Sequence, residues 1–303
     1  MSSWILPLAE AVEPARAGGK AHALARMLAL GVPVPEGFIL TDDAFQAFLA
    51  RDGLGERISG LADGLDARDV TRLRSVSSRI RELVLDAESP PRLRAELVAA
   101  HERLPAGEPI IVRSSAVGED SARASFAGQL DSFPGVRTPE ELERAVRACW
   151  ASYWSERALS YQLGRRVALA GMGVVLQRQV RARVSGVLFT RAPDGAGDAL
   201  LGEYCYGLGE ALVSGRIDPG QFTLSRDGAS WRHLASPEPA SPAEDAALFS
   251  PVLMAALGEH ALRLEDQLGG PQDIEWTVDG AGRLFLVQSR PITTAPAKPR
   301  SGR

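Results

Sequence analysis

Of the 34 Lys and Arg residues in this chain of 303, only Lys20 and Lys298 are Lys. Lys20 follows Gly18 and Gly19 and opens an amphipathic segment. A compact ammonium beside two glycines at a helix start suits phosphate oxygens, which the unpaired N–H groups of a helix N-terminus also attract. A surface lysine at such a position is the alternative, although a cation is disfavoured there unless an anion binds. A second set lies near the end of the chain: Asp273, Glu275, Gln288 and Arg290, on two apolar-alternating runs that flank Asp279-Gly280-Ala281-Gly282, a hairpin turn. A four-residue loop pairs 278 with 283, 276 with 285 and 273 with 288. Alternation then gives a core face of Ile274, Trp276, Val278, Phe285 and Val287, and gathers Asp273, Glu275, Gln288 and Arg290 on the other face. Two carboxylates, an amide and a guanidinium suit Mg²⁺ and the phosphates it bridges. The alternative is a surface salt-bridge ladder.

The elements that position these residues can be read from the periodicity. Residues 18–31 are predicted to be a helix, with Ala21, Leu24, Ala25 and Leu28 at helical spacing and Gly31 and Pro33 ending it. Phe38-Ile39-Leu40 reads as a strand, followed by a helix to about Leu49 capped by Thr41 or Asp42. Residues 68–104 read as two Arg-rich helices broken at Pro90-Pro91, with charges on exposed faces. Residues 109–113 form a short buried strand that enters a loop of small residues, Ser114 to Gly128. Residues 139–163 are helical, and their Trp150, Tyr153 and Trp154 are core residues rather than a ligand platform. Strands follow at 172–180, 184–190, 199–205, 220–225 and 230–234, then a helix at 249–268 and the final hairpin. Residues 295–303 read as a disordered Pro/Lys/Arg/Gly tail. No internal repeat is visible.

Composition excludes several classes. The chain is 45% hydrophobic and 24% charged, with a net charge of −4, which favours neither nucleic acid nor an anionic membrane. Two cysteines, Cys149 and Cys205, supply no disulfide framework and no Cys-based metal site. No apolar run reaches membrane-spanning length, and the N-terminus lacks the basic-then-apolar pattern of a signal peptide, so a cytoplasmic location is expected.

Four ordered segments sharpen this reading. They are Gly18-Gly19-Lys20; Val112-Arg113-Ser114-Ser115-Ala116 with Ala124-Ser125-Phe126-Ala127-Gly128-Gln129; Gly207-Leu208-Gly209-Glu210 running to Gly215; and Asp273-Ile274-Glu275-Trp276 with Gln288-Ser289-Arg290-Pro291. Each is weak alone. The first and last carry the charges described above, Arg113 follows a buried strand where a structural ion pair is the alternative, and the third lacks the glycine spacing of a dinucleotide fingerprint. In this order, and with Ser185 to Thr190 between them, they resemble the nucleotide-binding domain shared by phosphoenolpyruvate synthase, pyruvate phosphate dikinase and rifampicin phosphotransferase, over about residues 15–294.

The resemblance implies an α+β ATP-grasp fold of two subdomains, 1–180 and 181–294, with mostly antiparallel sheets and flanking helices, clamping ATP between them. It implies ATP and Mg²⁺ as ligands. Lys20, Arg113 and Arg290 would hold phosphates and serve catalysis, and Glu275 and Gln288 would be the Mg²⁺ ligands with Asp273 as a supporting acid. The loop holding Ser125, Gly128 and Gln129 would cover the phosphates. The backbone at Gln179 and Val180 would read adenine, and Glu203 would serve the ribose or balance the charge of Lys20. The implied reaction transfers a phosphoryl or pyrophosphoryl group from ATP to a His, leaving AMP and phosphate. His22, His101, His233 and His260 all lack the Thr-Ser-His context of the family's acceptor. The acceptor is therefore expected on a partner chain or another domain, with residues near the C-terminus as an interdomain linker in the latter case. A stand-alone kinase or ligase acting on a small molecule, and an ATP-binding regulator without turnover, are the alternatives.

Overall fold

The computed structural model describes residues 3–118, 120–121, 124–125, 130–165, 170–191, 198–228, 230–237 and 249–292. The tail at 295–303 lies outside them. The chain divides into two compact units: Met1–Arg26 with Pro35–Gln179, and Met27–Val34 with Val180–Arg303. Met27–Val34, inside the stretch 1–180, therefore clusters with the second unit.

The first unit is built on strands β1 (Ile5–Pro7), β2 (Gly37–Leu40), β3 (Ile110–Ala116), β6 (Ser132–Val136) and β7 (Met172–Arg178). They form one sheet in the order β1-β2-β7-β3-β6, each pair antiparallel. Two-residue strands β4 (Asp120–Ser121) and β5 (Ala124–Ser125) pair separately, inside the stretch read from sequence as a loop. That stretch starts later than expected, because β3 continues through Ser114 and Ser115 to Ala116. Both serines are buried, and small hydroxyl side chains are accommodated there as strand residues.

Ile110, Val112 and Ala116 of β3 share one face with Met172, Val174 and Leu176 of β7 and with Phe38 and Leu40 of β2, as the register requires. The main hydrophobic core forms on this face. Its helical side includes α3 (Asp42–Ala50), α4 (Leu54–Ala62), α5 (Val70–Asp86), α6 (Pro91–Arg103) and α7 (Pro139–Ser152). Trp150 is fully buried, with ring centroids 5.6 Å from Phe45 and 4.8 Å from Phe48, so these aromatics are core residues. The helix expected over 139–163 breaks at Tyr153–Ser155 and resumes as α8 (Glu156–Arg165). The opposite sheet face receives the start of α2 (Gly19–Ala29), preceded by the short α1 (Pro14–Ala17).

The second unit carries β8 (Ala182–Phe189), β9 (Leu200–Tyr206), β10 (Gly220–Leu224), β11 (Trp231–Ala235), β12 (Gln272–Asp279) and β13 (Leu284–Pro291). Their order is β11-β10-β9-β8-β12-β13, again antiparallel throughout. One face packs Tyr204, Phe222, Trp276 and Phe249 edge to face or tilted, at centroid separations from 4.7 to 6.5 Å. Room for these rings comes from glycines. A Cβ on Gly202 would lie 2.1 Å from the Phe222 ring, and one on Gly186 would lie 2.5 Å from the Trp276 ring. The long helix Pro251–Leu268, with Ser250 capping it through the Leu253 N–H, covers this face. The α+β class and the antiparallel sheets with flanking helices agree with the expectation. Among the described residues no helix is long and apolar enough to cross a membrane.

Candidate functional site

Each unit presents a polar cluster on one face of its sheet. In the first unit, the start of α2 lies against β3. Gly18 has φ +79°, and a Cβ there would sit 1.9 Å from the Ser115 carbonyl oxygen, so only glycine permits this approach. A Cβ on Gly173, across the register from Ser115, would meet the Ala17 carbonyl oxygen at 2.5 Å. The Ser115 hydroxyl accepts a hydrogen bond from the Ala21 N–H at 3.0 Å, which satisfies one of the otherwise unpaired donors of the first helical turn. Lys20 then turns inward. Its Nζ donates to the Ser114 carbonyl oxygen at 2.6 Å, and only 7% of the residue is exposed. Arg113 shares the sheet face of Ser115 and is 8% exposed. The sequence thus leads to two buried cationic residues on one face beside a helix N-terminus. Buried charges persist where anions or polar groups meet them.

Ser125 falls in β5, and Gly128 and Gln129 lie outside the described residues. At the end of β7, the Gln179 N–H donates to the Pro109 carbonyl at 2.8 Å, and its side-chain oxygen accepts from the Gly135 N–H at 2.6 Å. Val180 is buried, and its carbonyl accepts from the Ala182 N–H at 2.9 Å.

In the second unit, the sheet face opposite the aromatic core carries the expected polar set, in a register that differs from expectation. Glu275 stands directly opposite Gln288, and Asp273 directly opposite Arg290. Two features move the pairing. The Asp279 carboxylate accepts from the N–H groups of Ala281 and Arg283, both at 2.9 Å, and pairs with the Arg283 guanidinium, which draws Arg283 into the turn. Val278 consequently pairs with Leu284 rather than with 283. A bulge between Glu275 and Trp276 then shifts the register by one residue, so that Trp276 faces Leu286 while Glu275 faces Gln288. The core residue of β13 is Leu286, opposite Trp276, and Phe285 and Val287 are only half-buried.

Following the register across the sheet adds a residue. Gln221, Glu203, Val187, Glu275 and Gln288 form one transverse row on this face. Glu203 is thus separated from Glu275 by one strand, and it accepts from the Gln221 amide at 3.2 Å. Gln221 was missed by sequence reasoning. The alternation Gly220 to Leu224 was visible, but its cross-strand partner was not. The next row holds Leu201, Phe189, Asp273 and Arg290.

The electrostatics of this patch are those of a site short of positive charge. Arg290 lies 3.5 Å from Glu275. The Asp273 Oδ1 is buried without a hydrogen-bond partner. Burial, and then the neighbouring Glu275 carboxylate, pushes Asp273 up to about 6, with Arg290 opposing the shift. A buried oxygen without a partner beside a second carboxylate is the arrangement a hard cation satisfies. Among the described residues no group of three His, Cys, Asp or Glu is placed to hold a metal alone. Mg²⁺ needs no such cage, because it is commonly held by one or two carboxylates together with substrate phosphates. The donor set fits that ion. Cys149 and Cys205 are buried thiols whose ionisation burial opposes, which removes them as nucleophile candidates.

One unit of this α+β fold thus holds buried cations beside a glycine-shaped helix start, and the other an acid–amide–guanidinium ladder. The chain matches the family described as pyruvate phosphate dikinase, AMP/ATP-binding domain, over residues 14–302, and belongs to it. It is 33% identical to a probable phosphoenolpyruvate synthase of Methanothermobacter thermautotrophicus, over 92% of this chain and 44% of that protein. It is 37% identical to the rifampicin phosphotransferase of a Streptomyces species, over 92% of this chain and 34% of that protein. To the phosphoenolpyruvate synthase of Escherichia coli K12 it is 33% identical, over 92% of this chain and 40% of that protein. The chain therefore spans less than half the length of these relatives. Among solved structures it is similar to a biotin carboxylase of Campylobacter jejuni at 12% identity and a TM-score of 0.35, covering 92% of this chain and 43% of that one.

Proposed function

We propose that this chain binds Mg-ATP and is the ATP-handling part of a phosphotransferase. The observation that carries the reading is the ladder of Asp273–Arg290 and Glu275–Gln288 pairs, with a buried, unpartnered carboxylate oxygen at its centre. In this reading Glu275 and Gln288 hold Mg²⁺, and Asp273 supports them. The ion supplies neutralisation of phosphate charge when bound. Lys20, Arg113 and Arg290 bind phosphate oxygens, so that the charge developing in transfer meets fixed cations. The N–H of Gln179 is committed to Pro109, so what that residue offers an adenine amine is its carbonyl oxygen. Glu203, held by Gln221, accepts from ribose hydroxyls. Ser125, Gly128 and Gln129 belong to the segment that covers the phosphates.

The acceptor is an imidazole on a partner chain or on another domain of a longer protein. Its nitrogen attacks the β-phosphorus, the α,β-bridging oxygen leaves with AMP, and water releases the γ-phosphate from the pyrophosphoryl group. The relatives are synthases and a phosphotransferase more than twice the length matched here, which leaves room for an acceptor domain outside the matched stretch. The test is incubation of the chain with Mg-ATP and a His-bearing acceptor domain. AMP and a phosphorylated His are the expected products. ADP alone, with an unmodified acceptor, would refute the relay and leave direct transfer to a small molecule as the surviving reading.

A further inference from the structure

The polar ladder depends on a bulge. Without the extra residue at Val287, the upper register of the hairpin would continue downward, pairing Glu275 with Val287, Ile274 with Gln288 and Gln272 with Arg290. Because strand side chains alternate, that one-residue slip would carry Gln288 and Arg290 to the opposite, helix-covered face. Aliphatic packing does little to forbid it. Below the bulge the core-side position of β13 is not a large apolar residue but Ser289, opposite Ile274.

What occupies that position is a buried polar network. The Ser289 hydroxyl donates to the Gln272 side-chain oxygen at 2.9 Å, and the Gln272 amide donates to the Gly270 carbonyl at 2.8 Å. The Gln272 backbone exchanges bonds with Thr190, its N–H donating to the Thr190 hydroxyl at 2.8 Å and its carbonyl accepting from the Thr190 N–H at 2.9 Å. Thr190, Gln272 and Ser289 are at most 3% exposed. In the slipped register Ser289 would move to the other face, and the Gln272 side-chain oxygen would be left buried without its donor, a penalty that penalises the slip itself. A buried polar pair that fixes register at the expense of apolar packing is a known use of such groups.

We propose that Gln272 and Ser289 are positioning residues whose buried hydrogen bond locks the bulged register of the final hairpin and so keeps Gln288 and Arg290 on the ligand face. The proposal rests on the Mg-ATP reading only for its binding consequence; the register is a property of the hairpin itself. Two measurements on the full chain test it. The first follows ATP binding while Mg²⁺ is varied. Gln272→Leu and Ser289→Ala are each expected to raise the Mg²⁺ needed for half-saturation about tenfold, the low end for partners that orient metal ligands. Ser289→Thr, which keeps the hydroxyl, is expected to stay within about twofold of the native chain, and the double variant to be no worse than the worse single one, as coupled partners require. Native Mg²⁺ dependence in both Gln272→Leu and Ser289→Ala would overturn the proposal.

The second measurement needs no nucleotide. NMR of the native chain is expected to show cross-strand proton contacts between Glu275 and Gln288, and these are expected to weaken in Gln272→Leu and Ser289→Ala as contacts between Glu275 and Val287 appear. Unchanged contacts in both variants would overturn the lock whatever the binding data show. Ser289→Ala removes a single oxygen and carries both tests if Gln272→Leu does not fold. A native chain that fails to bind Mg-ATP would refute the functional reading alone, and the register measurement would then decide the inference.

Discussion

Replacing Asp273 with Asn should stabilise the ligand-free protein, the reverse of what removing a buried charged residue usually does. Burial and the Glu275 carboxylate lift this group from its ordinary 3.8 to about 6. At pH 7 the chain keeps it ionised in both folded and unfolded states, so the folded state bears the difference, about 3 kcal/mol at 1.36 kcal/mol per pH unit. That figure is a ceiling, since solvent screens the part of the side chain that remains accessible. The sign follows from linkage. A carboxyl raised in the folded state is protonated there first, so its penalty is absent below about pH 4, grows as pH rises toward 6 and is fully present above it. Thermal melts of native and Asp273→Asn protein, with Mg²⁺ chelated, should therefore coincide at pH 4 and diverge by several degrees at pH 7 in favour of the variant. Adding Mg-ATP at pH 7 should reverse the order, because the native carboxylate then meets a cation. An Asp273→Asn melt equal to or below the native one at pH 7 without metal would refute the reasoning. So would a stabilisation of the same size at pH 4.

Other perturbations have equally definite outcomes. Gly18→Ala places a methyl 1.9 Å from the Ser115 carbonyl at a φ of +79°, so it should cost about 2–4 kcal/mol by denaturant unfolding and weaken nucleotide binding by displacing Lys20. Lys20→Met should lower ATP affinity about 10- to 100-fold in calorimetry, the worth of one charge-assisted hydrogen bond, while urea unfolding stays within about 1 kcal/mol. Trp150→Ala empties a fully buried site packed on Phe45 and Phe48 and should cost about 3–5 kcal/mol, read as a lower urea midpoint.

Much of this architecture is legible in the sequence for identifiable reasons. The Asp279 to Gly282 turn, the apolar alternation of Ile274, Trp276 and Val278, and the isolated Gly18-Gly19-Lys20 all express local rules. The hairpin register is different, because it depends on an Asp279 carboxylate that gathers two backbone N–H groups and on a bulge stabilised by Gln272, 17 residues from its partner Ser289 in chain order. Neither is a pattern of hydrophobicity. Strand β1 is similarly invisible, since three residues cannot show a period; it is held by Glu96, whose carboxylate accepts from the N–H groups of Trp4 and Ile5. Ser114 and Ser115 look like loop residues by composition, yet pairing with Val174 and Gly173 makes them strand. Alternation alone puts Asp273 and Glu275 on one face, and the strand register agrees. Their partners across the strand required the fold.

The most direct test of the Mg-ATP reading is calorimetric titration of ATP into the native chain and into Glu275→Ala, each with Mg²⁺ and with the ion chelated. Saturable binding is predicted for the native protein with Mg²⁺, at least about tenfold weaker when the ion is removed, with Glu275→Ala insensitive to Mg²⁺. No binding by the native chain, or equal affinity in all four titrations, would contradict it.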